Sequence, residues 1–308
     1  MSLRGARVLV TGASGFVGTH LIARLRAEGA EVALINRAQL AAIDALTEQL
    51  DAIRPTHLYH MAGVLGGAPG GYEVQHEANV MTTVRLLEAV VAARLDPWIM
   101  VTSSSAVYGQ TNPDENPLGE DRPFRPLTEY GVSQVGREMA ALRYHVAHRL
   151  RTVRVRTFNL VGPGQPRTLL ASDVAHQVAL AERERGPLAV RVGNLFPRRD
   201  YTDVRDAVRA YVLLASSAQP GEVYNVCTGR SSSVQQCVDL FAGMVKEPLR
   251  IDVDETRIRP IEIADQIGDP SRIHQATGWQ ATIPLAVSLR DLLDAWRAHA
   301  AVVEATPA

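Results

Sequence analysis

Five short aliphatic runs punctuate the first half of the chain, at residues 7–11, 32–35, 57–61, 98–102 and 153–158. Runs of this length between turn residues read as strands covered on both faces. Between them lie longer stretches whose apolar residues recur at helical spacing, at residues 17–28, 80–93 and 130–149. This alternation predicts an α/β protein with a Rossmann-type, doubly wound parallel sheet. Residues 37–55 break the rhythm, because a complete dinucleotide fold would carry another strand where QLAAIDALTEQLDAI reads as one helix. A strand is shortened or lost there. Beyond residue 162 the alternation loosens, and Pro and Gly cluster at 162–166, 193–197, 220–221 and 259–260. That change predicts a smaller C-terminal α/β substrate-binding lobe. The expected division is mainly 1–161 for the dinucleotide lobe and mainly 162–300 for the second, with segments free to interleave and a frayed tail at 301–308.

Composition narrows the classes. With 46% hydrophobic and 21% charged residues, the chain is expected to fold throughout. A formal net charge of -1 argues against broad binding to nucleic acid or an anionic membrane, so an anionic ligand must meet specific arginines. Two cysteines, Cys227 and Cys237, are too few for a disulfide framework and lack the spacing of a zinc site. A reducing, cytoplasmic setting is expected, since no apolar stretch of signal-peptide or membrane-spanning length follows Met1.

The strand RVLVT runs into TGASGFVG and then the helical HLIARLRAEGA. Gly12, Gly15 and Gly18 in a strand–turn–helix context let the backbone approach a pyrophosphate and aim amides at it from a helix N-terminus. A lone glycine triplet could be an ordinary tight turn, but the flanking strands and helix favour a nucleotide site. The second strand ends in INR, where a carboxylate would meet a free ribose 2′-hydroxyl. Asn36 and Arg37 stand there instead, and an arginine matches a 2′-phosphate, so NADP(H) is preferred and NAD(H) remains possible.

The segments TSSSAVYG and TEYGVSQ, with TGASGFVG, the HMAG at residues 60–63 and Asn79, resemble the extended short-chain dehydrogenase/reductase family of nucleotide-sugar enzymes. The likeness covers nearly the whole chain. In the second half RTFNLVGPGQ, VRVGNLFPRRDYTDVRDAVRAY, VYNVCTG, RPIEIADQIGDPSRI and TGWQATIPL are similar to the GDP-mannose dehydratase and GDP-4-keto-6-deoxymannose reductase branch. The resemblance implies Tyr130 as catalytic proton carrier, Ser104 as its hydroxyl partner, and Gln134 at the position of the family's lysine. It implies cofactor contacts from Gly12, Ser14, Gly15, Phe16, Val17, Gly18, Asn36, Arg37, Ala62, Asn79, Tyr130 and Gln134. For a nucleotide-sugar substrate it implies Ser105, Asn159, Arg199, Arg259 and Glu262. It also implies a homodimer through a four-helix bundle, for which Val84, Leu87, Val135 and Met139 offer apolar positions.

Two departures bear on the reaction. The lysine four residues after the tyrosine normally lowers the phenol's pKa, and a unit charge at about 4 Å in an effective dielectric of about 20 is worth roughly 4 kcal/mol. Gln134 keeps a hydrogen bond to ribose but not that field. Either another cation compensates, or the chemistry is slow, or the fold has become a binder. The family's dehydratases place an acid and a base where Ser105 and Ala106 stand, and Ala106 cannot move a proton. Reduction, epimerisation, or binding without turnover remain open. The plainer reading holds for His57 and His60 as structural histidines and for Asp203 and Asp206 as helix caps. No histidine and carboxylate spacing suggests a metal.

Overall fold

Val8, Leu9 and Val10 are all fully buried, as a central parallel strand requires. They belong to β1 (Arg7–Thr11), which is followed by α1 (Phe16–Ala27), β2 (Glu31–Ile35), α2 (Ile43–Ile53) and β3 (His57–His60). Next come α3 (Gly71–Gln75), a π-helical turn (His76–Met81), α4 (Thr82–Ala92), β4 (Trp98–Ser104), α5 (Glu129–His148) and β5 (Arg151–Thr157). The remainder comprises β6 (Asn159–Val161), α6 (Leu170–Glu184), β7 (Ala189–Val192), β8 (Arg198–Asp203), α7 (Val204–Ser217) and β9 (Val223–Val226), then β10 (Ser231–Ser233), α8 (Val234–Ala242), β11 (Arg250–Val253), β12 (Asp265–Gln266), α9 (Ser271–Thr277) and α10 (Leu285–Ala305). This computed structural model describes residues 3–66, 70–258 and 262–305, the last five as backbone only.

The large sheet runs β2-β1-β3-β4-β5-β9, with every pair parallel. Side chains alternate across it. Val8 and Val10 face a layer built with Leu21, Leu25, Tyr211 and Leu214 from α1 and α7, while Leu9 faces Leu46, Leu50, Leu86 and Val90 from α2 and α4. The sheet ends at β2, and the span that lacked a strand signal is α2, preceded by a single 3₁₀ turn at Gln39–Ala41. Ile43, Leu46, Leu50 and Ile53 fall on one helical stripe against the sheet, which is why this segment is helix and not an added edge strand. The sixth strand, β9, comes from beyond residue 220, so the larger lobe is assembled from two stretches of chain.

The smaller lobe centres on β8, paired with β6, β10 and β12, and on the β7–β11 pair, with α6, α8 and α10 enclosing an aliphatic core around Val178, Phe241 and Leu292. Asp203 caps α7 by accepting from the Arg205 amide at 2.8 Å, whereas Asp206 accepts from the amides of Thr282 and Ile283, both at 2.8 Å, and pins the TGWQATIPL turn. Both aspartates are structural. Cys227 and Cys237 are free and buried. No helix among the described residues is long and apolar enough to cross a membrane. Of the four positions expected at a dimer seam, Leu87 is fully buried in its own protomer and Val135 packs against the Val107 and Tyr108 cluster. Their side chains are already committed to the core.

Candidate active site

The sheet order places a switch point between β1 and β3, where successive connections leave in opposite directions and ligands of this fold class bind at the carboxyl ends of the strands. Thr11, His60 and Ser104 are the last residues of β1, β3 and β4. Gly12 follows with φ 73°, and a Cβ there would sit 2.7 Å from the Ala62 nitrogen and the Met61 carbonyl carbon. Only glycine can pass. At Gly18 a Cβ would come within 2.2 Å of the Gly12 oxygen, so the loop and the first turn of α1 touch backbone to backbone. Gly15 is the N-cap of α1 and offers no side-chain cap, and no acidic residue occupies the helix's first turn. The amides are therefore left for an anion, the arrangement that fits a cofactor pyrophosphate. Ser14 is exposed on this loop, and Phe16 and Val17 are half-buried at the start of α1.

Beyond β2, Asn36 accepts from the Gln39 amide at 3.0 Å while its own amide donates to the Gln39 side chain at 2.8 Å. Asn36 thus fixes the turn. Arg37 is exposed, with no ion-pair partner among the described residues, and is available to an anion.

A buried hydrogen-bond chain ties the loop after β3 to the helices. The amides of Met61 and Ala62 donate to the Thr11 hydroxyl at 3.2 and 3.1 Å, so the hydroxyl proton goes to His60 Nδ1 at 2.8 Å. The Thr83 hydroxyl donates to the Asn79 carbonyl at 2.7 Å and accepts from His60 Nε2 at 2.9 Å. This network assigns the Nε2–H tautomer. Burial, with the Arg137 charge adding to it, holds His60 well below 6.5, so the ring is neutral. The π-helical turn re-aims Asn79 into the sheet end. Its side chain accepts from the Val64 amide at 2.9 Å and donates to the Ser133 hydroxyl at 2.9 Å. Asn79 is occupied as a clamp, so any effect on a cofactor passes through the loop carrying Ala62.

Thr128 caps α5 by accepting from the Gly131 amide at 3.1 Å, which puts Tyr130 on the first turn. A Cβ on Gly131 would lie 2.7 Å from the Ala106 oxygen, so this glycine lets the helix start abut the 3₁₀ turn that follows Ser104. That contact brings the hydroxyls of Tyr130 and Ser104 into a hydrogen bond. Ser104 also accepts from the Ala106 amide at 3.2 Å. Burial pushes the Tyr130 phenol above 10.0, while the Ser104 bond and the Arg137 charge act in the opposite sense. Gln134 is buried on the same helix, one turn on.

Arg137 is the residue that sequence reasoning missed. It is 3% exposed, donates from Nη2 to the His60 carbonyl at 2.8 Å, and lies so near Gly63 that a Cβ there would be 3.1 Å from Nη1. The signal was present as an arginine on the Tyr130 and Gln134 face of a helix whose opposite face meets solvent. Next to it Glu138 has no exposure, accepts from the Ser103 hydroxyl at 2.6 Å and pairs with Arg156 at 2.9 Å.

The proposed substrate residues are more scattered. Ser105 is buried at the start of the 3₁₀ turn, and Asn159 is exposed at the start of β6. Arg199 is half-buried and donates from Nη1 to the carbonyls of Arg198 and Ile263, both at 2.7 Å. Glu262 accepts from the Asn194 side chain at 2.6 Å. Arg199 and Glu262 thus flank the same β8–β12 edge, whereas Arg259 lies outside the described residues.

A family model described as the NAD dependent epimerase/dehydratase family matches residues 8–227. GDP-6-deoxy-D-mannose reductase of Pseudomonas aeruginosa is 31% identical over 298 residues, covering 95% of this chain and 98% of the relative. UDP-glucose 4-epimerase of Mycolicibacterium smegmatis is 28% identical, covering 94% of this chain and 98% of the relative. Among solved structures, RMD from Pseudomonas aeruginosa complexed with NADPH superposes with a TM-score of 0.88 at 31% identity, over 96% of this chain and 99% of that one. MoeE5 in complex with UDP-glucuronic acid and NAD gives 0.83 at 28% identity, over 95% and 99%.

Proposed function

The chain belongs to the NAD dependent epimerase/dehydratase family, and from that premise we propose that it is an NADPH-dependent reductase of a nucleotide-linked 4-keto-6-deoxysugar, with GDP as the nucleotide. The observation that carries this reading is the Ser104–Tyr130 hydroxyl pair at the open end of the sheet, beside an alanine that cannot move a proton. The similarity to a GDP-6-deoxy-D-mannose reductase supports it, as does the NADPH-bound neighbour.

The glycine loop and the uncapped start of α1 hold the pyrophosphate, and Arg37 meets the 2′-phosphate. When bound, NADPH supplies the hydride that adds to the keto carbon. Tyr130 donates its proton to the oxygen that becomes the hydroxyl, and Ser104 orients that oxygen through a hydrogen bond. Gln134 hydrogen-bonds the nicotinamide ribose. Arg199, Arg259, Glu262, Asn159 and Ser105 bind the nucleotide sugar. Since Tyr130 is shifted up, it stays protonated through neutral and mildly alkaline pH, which suits donation during reduction.

The purified protein incubated with NADPH and GDP-4-keto-6-deoxymannose is expected to consume NADPH stoichiometrically with product. Turnover at one carbon without net NADPH loss would instead establish an epimerase, the reading that the UDP-glucose 4-epimerase relatives favour. Cofactor binding without turnover on any keto-sugar would leave a binding protein. The intact Ser104–Tyr130 pair weighs against that outcome.

The reductase is a dimer through α4 and α5. Val132, Met139 and Val146 are exposed at seven-residue intervals on α5, which is a coiled-coil spacing. Light scattering at micromolar concentration distinguishes this assembly from a monomer.

A further inference from the structure

We propose that Arg137 takes over the role of the cation missing at Gln134, acting from two turns beyond Tyr130 as a positioning residue whose charge favours ionisation of the Tyr130 phenol. The proposal rests on Tyr130 being the proton donor. An α-helix advances about 100° per residue, so positions four and seven beyond Tyr130 lie about 40° to one side of it and 20° to the other. Both share its face. Helical side chains lean toward the N-terminus, and a long arginine at the farther position reaches back toward the tyrosine.

The surroundings of the guanidinium fit this role. Arg156, equally buried, is neutralised by a two-pronged contact with Glu138. Arg137 has no carboxylate partner among the described residues, its Nε has no acceptor, and its one hydrogen bond goes to the neutral His60 carbonyl. Leaving a buried charge without a counter-ion is costly, and a nearby phenolate would relieve that cost. Burial pushes the guanidinium down to about 10, which leaves it cationic at neutral pH, and Tyr130 is the group that pulls it back up. The other groups facing this corner supply no positive charge. Ser104 comes from β4, the neutral His60 from β3, and Tyr211 from α7, where burial holds its phenol far above the ordinary range. Gly63 makes the arrangement possible, since a Cβ there would meet Asn79 Oδ1 at 2.5 Å and Arg137 Nη1 at 3.1 Å.

A merely structural arginine would clamp β3 to α5 through the His60 carbonyl, and a neutral donor could do the same. The test is the ionisation of Tyr130 in the cofactor-free protein, followed by NMR of ring-labelled tyrosine and assigned with Tyr130→Phe. Arg137→Gln keeps a donor but loses the charge, and is expected to move the Tyr130 midpoint alkaline, leaving about tenfold less phenolate at any given pH below it. Arg137→Lys is expected to stay near the parent. The double variant Arg137→Gln/Gln134→Lys returns charge from the other position, and is expected to restore the parent midpoint. It also provides a second reading if the single variant folds poorly. A folded Arg137→Gln variant with the parent midpoint, or a double variant that titrates no lower than Arg137→Gln, would overturn the proposal. Turnover of Tyr130→Phe is measured separately. If it persists, Tyr130 is not the donor and the function reading fails, while the titration still decides what Arg137 does.

Discussion

Replacing Glu138 with Gln should be among the most destabilising conservative changes available in this protein. Its carboxylate has no exposure and accepts from Arg156 Nε at 2.9 and 3.2 Å, from Arg156 Nη2 at 2.9 Å and from the Ser103 hydroxyl at 2.6 Å. Arg156 continues the network by donating from Nη1 to the Tyr108 hydroxyl at 3.1 Å and the Glu120 carbonyl at 2.8 Å. The Tyr108 hydroxyl in turn donates to Asn225 at 2.7 Å, which links α5, β5 and β9. Burial works against the Arg156 charge, and the bond to Glu138 more than offsets it. Glutamine has nearly the same shape but removes the counter-ion and turns an NH₂ toward guanidinium donors. Breaking a buried pair from one side costs about 3–5 kcal/mol, a large share of the roughly 5–15 kcal/mol that holds a typical domain together. Arg156→Met should cost a comparable amount by stranding the carboxylate. The double variant should lose clearly less than the sum, because neither charge is then left alone. Urea denaturation monitored by circular dichroism gives all three values, provided the dependence on denaturant is unchanged. A loss below about 1 kcal/mol for Glu138→Gln would refute the assumption that this pair is dry and rigid. NADPH affinity should be retained, since Glu138 does not touch the glycine loop.

Three further expectations follow from the site. Gly12→Ala combines a positive φ of 73° with backbone contacts at 2.7 Å that cannot yield, so calorimetry should show NADPH binding weakened by about tenfold or more; affinity within twofold of the parent would mean the loop can open. Arg37→Ala should weaken NADPH by about tenfold while sparing NADH, since only the former loses a charge-assisted pair, and equal losses in a binding titration would make Arg37 a bystander. His60 remains neutral in the folded protein below 6.5, where the unfolded chain binds a proton, so it contributes stability that is full above that pH and lost as pH falls. Melting temperatures of the parent and His60→Gln should therefore converge on acidification, and a constant difference between pH values would reject this sign.

The first strands were legible because their aliphatic runs have no other use. Val8 to Val10 are apolar on consecutive positions, a pattern that only burial on both faces explains. The missing edge strand was legible for the complementary reason, since Ile43, Leu46, Leu50 and Ile53 repeat at a helical period. The helix before β4 was read as beginning near residue 80, yet helical structure begins at Gly71. Its first turns carry exposed polar residues, and the π-helical turn at His76–Met81 shifts the apolar phase that would have marked them. Strand β9 was quoted only as the motif VYNVCTG. It pairs with β5 across more than sixty residues of intervening chain, and parallel pairing at that distance leaves no local signal.

The candidate site divides along the same line between local and non-local causes. Gly12, Gly18, Ser104 and Tyr130 announce themselves because a strand end or a helix start dictates where each side chain goes. Gln134 announced a deficit equally clearly, but a deficit in sequence says nothing about where its compensation lies. Arg137 is three residues away, yet reading it as the compensating charge requires knowing that β3 closes over it and that Gly63 leaves room for its guanidinium. It also requires knowing that the neighbouring carboxylate of Glu138 points away from it, toward Ser103 and Arg156. Had Glu138 turned the other way, the same two residues would have formed an inert pair and the phenol would have had no cation. The chemical meaning of an arginine on this helix is therefore set by which strand each side chain meets, and that is decided by the packing of α5 on β3, β4 and β5 together.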